Sequence, residues 1–293
     1  YVHNTTMSEI QSSLLRFKEY FSNNIFVETN NYYAIAKHNS KTSAEQFENF
    51  CKTFYLGLTS KKLDFLNYDN IDTSYQVQEQ IINPFKLKGK IKGMLIKSSV
   101  NLYTESNIDY ITLKLNYDLV VLCTYGHDHL FTDKSIASVY KYQIVEKLLL
   151  ANDEIDQTTS LVVIDGPFFS IDPYADTGQF LMSHVKHAIH SENIGTTPFV
   201  PLHLQQHLHT GLRQDIVFPN CSKMMQDAAK FFPVISKSTW KGSFFVTRCV
   251  KSNVEETDER TSSLNFISDK LVTIHSGKLV SCVNIAEELV SKL

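Results

Sequence analysis

The chain has 293 residues, 43% of them apolar, with 28 Lys and Arg against 31 Asp and Glu for a formal net charge of -3. That is enough chain for one large domain or two interleaved ones, and it carries no electrostatic footprint for a nucleic acid partner. No apolar stretch approaches the roughly 18 residues that span a bilayer and no signal-peptide pattern opens the chain; Cys51, Cys123, Cys221, Cys249 and Cys282, with no C-x-x-C spacing, read as reduced thiols of a cytoplasmic protein without disulfides or a thiolate zinc site.

In chain order, Leu14, Leu15, Phe17, Lys18 and Phe21 mark an early helix. "YYAIAKHNSKTSAEQFENFCKTF" follows, a strand over residues 32–36, a polar turn and a second helix that Thr42 or Ser43 can cap. "INPFKLKGKIKGML" is a helix begun near Pro84. Short β-like runs then lead to a buried strand over residues 119–124. The middle carries strands over 161–164 and 168–171 around an Asp-Gly-Pro break, and a third over 181–186. Met224, Met225, Ala228, Phe231 and Phe232 lie at near-helical spacing, "GSFFVTRCVK" returns to β, and "KLVTIHSGKLVSCVNIAEELVSKL" closes the chain as strand, turn and helix. Hairpin-like strands in the middle favour a mixed α/β or α+β plan over a pure parallel sheet.

Six of the eleven histidines fall between 184 and 209. His184, His187 and His190 repeat every third residue, and His203 and His207 are i, i+4, a spacing that on a helix puts two rings on one face for zinc. "SHVKHAIH" reads as a strand, however, where a spacing of three alternates faces, and no H-E-x-x-H accompanies it. Partly buried or surface histidines are the preferred reading, and no metal site is assigned. The chain has no G-x-S-x-G elbow, no P-loop and no G-x-G, which disfavours an α/β-hydrolase or a P-loop enzyme. Asp165 in "VIDGPFF" is read as a turn residue rather than a catalytic acid.

Taken together, "NNYYAIAKHNSKTSAEQFENFC", "YDLVVLCTYG", "VVIDGPFFSIDPY", "LMSHVKHAIH" and "ETDERTS…LVTIHSGKL…AEEL" resemble successive blocks of FAD-dependent oxidoreductases of the D-amino-acid-oxidase-like superfamily. The resemblance spans nearly the whole chain in order. It implies an α/β (α+β) fold in which a Rossmann-like FAD-binding domain, incomplete at its N-terminus, is interleaved with a mostly antiparallel substrate domain. The implied division is residues 1–19 as a remnant of the flavin side, 20–75 and 132–239 as the substrate domain, and 76–131 and 240–293 as the flavin domain. The superfamily assembles its flavin domain from an N-terminal β-α-β with G-x-G-x-x-G, a central strand and a C-terminal strand-turn-helix. Residues 119–126 and 271–289 match the last two pieces. The first is absent from this sequence, so the resemblance implies a fragment, inactive or weak in FAD binding by itself, with a degenerate relative as the alternative.

By resemblance, Ile108, Cys123, Thr124, Tyr125, Gly126, His275, Ser276, Gly277, Lys278 and Leu279 belong to the cofactor site. Gly277 and Lys278 are expected to start a helix whose positive end faces the flavin ring. Arg248 falls where relatives place an arginine near the substrate, although Cys249 replaces the usual proline, and a guanidinium there can clamp a carboxylate. The implied activity is hydride transfer from an amine or amino-acid-like small molecule to flavin N5, with no separate catalytic base named. The competing readings are a noncatalytic binding or scaffold protein of this descent, tested by flavin colour, and a histidine-ligated metal protein. The sequence sets neither the substrate, the electron acceptor nor the oligomeric state.

Overall fold

In a computed structural model, residues 4–104, 110–131, 137–216, 219–254 and 257–293 are described. The dominant element is a nine-stranded sheet. Its organising strand is Tyr140–Ala151, whose run "YKYQIVEKLLLA" combines β-branched, aromatic and aliphatic residues suited to a pleated, buried surface. One edge of this strand pairs antiparallel with Thr239–Lys251 along its whole length, with a bulge between Trp240 and Gly242. Its other edge pairs first with Ile189–Gly195 and then with Phe180–His184. From there the sheet continues through Phe169–Pro173, Thr159–Ile164, Asn30–Ala36, Ile71–Val77 and Leu58–Ser60. All these pairings are antiparallel except that of Asn30–Ala36 with Thr159–Ile164. The mostly antiparallel plan expected for the substrate-domain strands is the one observed.

Successive side chains alternate between the two faces. One face carries Tyr32, Ala34, Leu148, Leu150, Leu161, Val163, Ile171 and Met182 into the main core, where Met224 and Ala228 of the helix Cys221–Ala229 cover it with Phe232 and Ile235. The helix Ala44–Thr53 covers part of the other face through Phe47, Phe50 and Cys51. That helix starts where expected, because Ser43 Oγ accepts from Gln46 N–H while Gln46 Oε1 accepts from Ser43 N–H, a reciprocal capping box. The rest of this second face, along Phe169–Pro173, Phe180–His184, Tyr140–Ala151 and Thr239–Lys251, turns toward a second layer.

The second layer is built on a three-stranded sheet in which Leu271–His275 pairs antiparallel with Ser263–Ser268 and parallel with Val120–Leu122. The buried runs read at 119–124 and 271–274 are thus neighbours in one parallel pair, with Leu271 opposite Val120 and Thr273 opposite Leu122. The helices Asn4–Phe21, Pro84–Lys97 and Cys282–Ser291 join this layer, packing Phe17, Phe21, Leu87 and Val283 together. Asn83 starts the second of these by accepting the N–H of Phe85 and of Lys86 on Oδ1, with Pro84 at the first helical position. One boundary is corrected. Residues 240–251, expected on the flavin side, form an interior-length strand of the large sheet, because the alternation of Phe245, Thr247 and Cys249 fits them to Tyr140–Ala151. Among the described residues no helix is long and apolar enough to cross a membrane.

Candidate active site

The Thr239–Lys251 strand buries Phe245, Thr247 and Cys249 on one side and so presents Phe244, Val246 and Arg248 on the other. Register places Lys147 opposite Phe244 and Gln143 opposite Arg248. Arg260, from the second layer, reaches the same space, its charge acting on Arg248, and Lys278 feels both Arg260 and Arg248. Burial, then the neighbouring Arg260, lowers the pKa of the Arg248 guanidinium, with Asp258, Tyr125 and Glu192 opposing. Lys278 is lowered in the same way, first by burial and then by Arg260, with Asp258 and Glu79 opposing and Arg248 adding to the repulsion. Arg260 is itself neutralised by a bidentate pair with Asp258, at 2.6–3.0 Å. The side chains of Arg248, Lys278 and Lys147, by contrast, make no hydrogen bond or ion pair among the described residues.

Two acids share the cleft. Burial raises the pKa of Asp172, whose carboxylate accepts from Ser160 Oγ at 2.7 Å and feels Lys147 from a distance beyond ion-pair contact. Glu79 keeps accessible surface, yet the protein around it desolvates its carboxyl enough to raise the pKa, against the opposing hydrogen bond from the Tyr33 hydroxyl at 3.1 Å. The result is a cleft with three unpaired cations and two carboxylates held by hydroxyls, an arrangement suited to an anionic ligand.

Of the residues expected at a cofactor, Tyr125 and His275 come together. The loop after Val120–Leu122 brings Thr124, Tyr125 and Gly126 against the end of the Leu271–His275 strand. Thr124 Oγ1 donates to Asp128 Oδ1 at 2.6 Å. Tyr125, at φ 51°, lays its ring parallel to His275 at 6.3 Å, and Tyr140 stacks on the same imidazole at 4.8 Å. Gly126 has φ 81° and sits so tightly on the large sheet that a Cβ would lie 2.2 Å from Cys249 Sγ, while its carbonyl accepts the Tyr142 hydroxyl. Glycine is required there on both counts. Cys123 is exposed, and Ile108 lies outside the described residues.

The closing turn differs from expectation. Gly277 and Lys278 do not start the helix: Lys278 is extended, with φ -142° and ψ 141°, Leu279–Ser281 forms a short 3-10 turn, and the α-helix begins at Cys282. Gly277 is small for another reason. A Cβ on it would fall 1.8 Å from the Arg260 carbonyl oxygen, and its N–H already donates to Ser262 Oγ at 3.2 Å. The glycine therefore admits the neighbouring loop's backbone rather than a ring. Ser276 Oγ donates to the Lys278 carbonyl at 3.2 Å. What this segment does offer is unsatisfied: Thr273 Oγ1, His275 Nδ1, Ser281 Oγ and Asn284 Oδ1 are buried without a hydrogen-bond partner. Buried polar atoms are rarely left so, and these four fall within twelve residues, each with almost no accessible surface.

No family model matches the chain, and no curated protein does. Solved structures do. Glycine oxidase from Geobacillus kaustophilus aligns over 99% of this chain and 77% of its own length, with a TM-score of 0.61 at 12% identity. The L-α-glycerophosphate oxidase of Mycoplasma pneumoniae, solved with FAD bound, aligns over 97% and 79%, with a TM-score of 0.62 at 14% identity. The chain shares the fold of these two oxidases. A modified fructosyl peptide oxidase from Aspergillus nidulans shares it too, at a TM-score of 0.65 and 9% identity over 97% of this chain and 75% of its own.

The histidines behave differently from the strand reading. The strand ends at His184 and the chain turns over residues 185–188, so His184 and His187 come together with Asp227, their ligand atoms within 4.8 Å. His184 Nδ1 accepts the backbone N–H of Lys186 and of His187, which puts the ring proton on Nε2, where it donates to Asp227 Oδ2 at 2.9 Å. That ring has no lone pair left for an ion. The i, i+4 pair is separated as well, because the helix there covers Leu202–Gln205 and ends before His207. Asp165 sits in its turn, with Thr42 Oγ1 donating to its carboxylate and its own N–H donating to Ser40 Oγ. Sequence reasoning missed Lys147, Asp172, Tyr33 and Glu79. A signal existed for the first two, as charges inside "QIVEKLLLA" and "FFSIDP", runs otherwise fit for a sheet interior.

Proposed function

We propose that the protein is an FAD-dependent oxidoreductase acting on an amine or amino-acid-like small molecule that carries a carboxylate. The observation that carries this reading is Arg248, a desolvated guanidinium without a partner on the site-facing side of the sheet, beside a second unpaired cation, Lys278. A planar guanidinium binds a carboxylate through two parallel N–H···O bonds, so it fixes orientation as well as affinity. Lys278 adds a point charge to the same anion. The large sheet forms one wall and residues 276–279 the other, which excludes water and strengthens both interactions.

Residues of the Thr124–Gly126 loop and the 273–284 segment would hold the flavin, the two joined where the Tyr125 ring lies parallel to His275. Bound there, the flavin supplies the acceptor for a hydride from the substrate carbon. His275 is neutral at physiological pH, because burial and then Lys251 lower its pKa, so it offers a hydrogen bond without adding a charge. The test is the full-length natural protein: purified, it is yellow, and a carboxylated amine bleaches the flavin bands under anaerobic conditions. Arg248→Met raises the KM for such a substrate about a hundredfold, the loss of roughly 3 kcal/mol from two charge-assisted hydrogen bonds, with flavin content unchanged. A folded full-length protein that takes up no FAD refutes the reading.

A further inference from the structure

On the same face of the large sheet as Arg248 lies a cavity of about 530 Å³. Its walls come from both layers: Leu181 from the large sheet, Ile81, Ile82, Leu87 and Ile91 from the start of the Pro84–Lys97 helix and the segment before it, and Leu279 from the closing turn. Leu279 directly follows Lys278 in the chain, and Lys147, on the same sheet face as Arg248, stands on the cavity wall. Two charged side chains of the sheet, Lys147 and Asp172, also line it. Neither is paired with the other; Asp172 holds Ser160 and Lys147 holds nothing among the described residues. A concave, mainly apolar space of this size, with Lys147 and Asp172 among a few polar lining residues that include Lys88, Ser170 and Ser183, is the form of a small-molecule site.

We infer that this cavity takes the body of the substrate, and that the substrate class is an amino acid or amine with a large apolar substituent ending in a hydrogen-bonding group. A molecule the size of glycine would leave most of the 530 Å³ filled with water against apolar walls. A long apolar group displaces that water, and its polar end meets Asp172 as acceptor or Lys147 as donor. This inference rests on the reading of Arg248 and Lys278 as the carboxylate site.

The experiment needs no flavin. Acetate, hexanoate, 4-phenylbutanoate and 4-(4-hydroxyphenyl)butanoate are titrated calorimetrically into the full-length protein. Affinity is expected to rise about fourfold per buried methylene, so more than a hundredfold from acetate to hexanoate, and Asp172→Ala is expected to erase the advantage of the hydroxyl compound over its parent. Leu181→Trp, which fills the cavity from the sheet, and Ile91→Trp, which fills it from the half-exposed helix wall, are expected to lose the gain while acetate affinity holds. A flat series in the unmodified protein, or a loss shared equally by acetate in both variants, overturns the inference. A steep, Leu181-dependent series in a protein that takes up no FAD leaves the cavity assigned and sinks the flavin reading; a flavoprotein that oxidises glycine or sarcosine and rejects bulky amines does the reverse.

Discussion

Gly277 separates two explanations of the closing turn. If the residue were small to admit a cofactor ring, Gly277→Ala would cost flavin and spare the fold. The geometry gives the opposite expectation. An added Cβ would lie 1.8 Å from the Arg260 carbonyl oxygen, 2.4 Å from its carbon and 2.8 Å from the Thr261 carbonyl carbon, all backbone atoms that cannot rotate aside as a flexible side chain can. Relieving the overlap pushes the 260–262 loop away from the turn, at about 1–3 kcal/mol for overpacking, and stretches the Gly277 N–H to Ser262 Oγ bond, worth about 1 kcal/mol. We expect a loss of about 3 kcal/mol, read as a lower urea midpoint by circular dichroism without added flavin. Gly89→Ala is the control: Gly89 lies within the Pro84–Lys97 helix with nothing within 4 Å of a Cβ, so alanine there adds about 0.5–1 kcal/mol. Equal midpoints for Gly277→Ala and the parent would refute the packing account.

The buried Glu146 accepts from Ser243 Oγ, from His190 Nε2 at 2.8 Å and from the Asn220 N–H at 2.8 Å; Glu146→Ala strands all three donors and is expected to cost about 3–5 kcal/mol by urea titration, with a loss under 1 kcal/mol counting against the network. His184 and His275 fold neutral, burial lowering both pKa values, with His187 and Lys186 reinforcing and Asp227 opposing at the first and Lys251 reinforcing and Asp128 opposing at the second. The unfolded chain therefore takes up these protons first, so their contribution is complete above about pH 6.5 and falls as the pH drops through the lowered folded values; the urea midpoint should decline between pH 7.5 and 5.5, less so in His184→Gln, and a flat profile would contradict it. Lys278→Met removes a desolvated, unpaired cation, so the ligand-free protein is expected to gain about 1 kcal/mol while acetate binding weakens at least tenfold; a destabilised variant with unaltered acetate affinity would take Lys278 out of the anion site.

What could be read from the sequence was local or strongly patterned. Ser43 and Asn83 announce their helices because a cap acts within three residues. The buried runs ending at Leu122 and beginning at Leu271 pair as expected because uninterrupted apolar strands have few other places to go. The rest depended on contacts between distant segments. The reason for Gly277 is the backbone of Arg260, seventeen positions earlier and across a hairpin. His184 and His187 meet because four residues turn rather than continue a strand, and that turn is held by the His184 ring itself. Thr239–Lys251 was assigned to the wrong layer because its alternation identifies a half-buried strand without naming the sheet it joins.

The charges of the cleft point to function through their cost. A fold selected for stability alone would pair Lys147 with Asp172 and Lys278 with Glu79, since each couple already feels the other's field. Instead the carboxylates are held by the hydroxyls of Ser160 and Tyr33, and Lys278 is left half-buried without a side-chain partner among the described residues, while Lys147 is exposed. Holding an unpaired charge away from water is unfavourable, and nothing in the packing of the two layers requires it, because the apolar contacts of Leu87, Val283 and Phe17 join the second layer without them. The same holds for the partnerless atoms of Thr273, His275, Ser281 and Asn284, concentrated where one strand and one helix meet. Such departures from satisfied, paired interiors are expected where a ligand completes the set. Here the cations come from both layers, Arg248 and Lys147 from the large sheet and Lys278 from the closing turn. An anionic ligand between them, as proposed above, would neutralise the set.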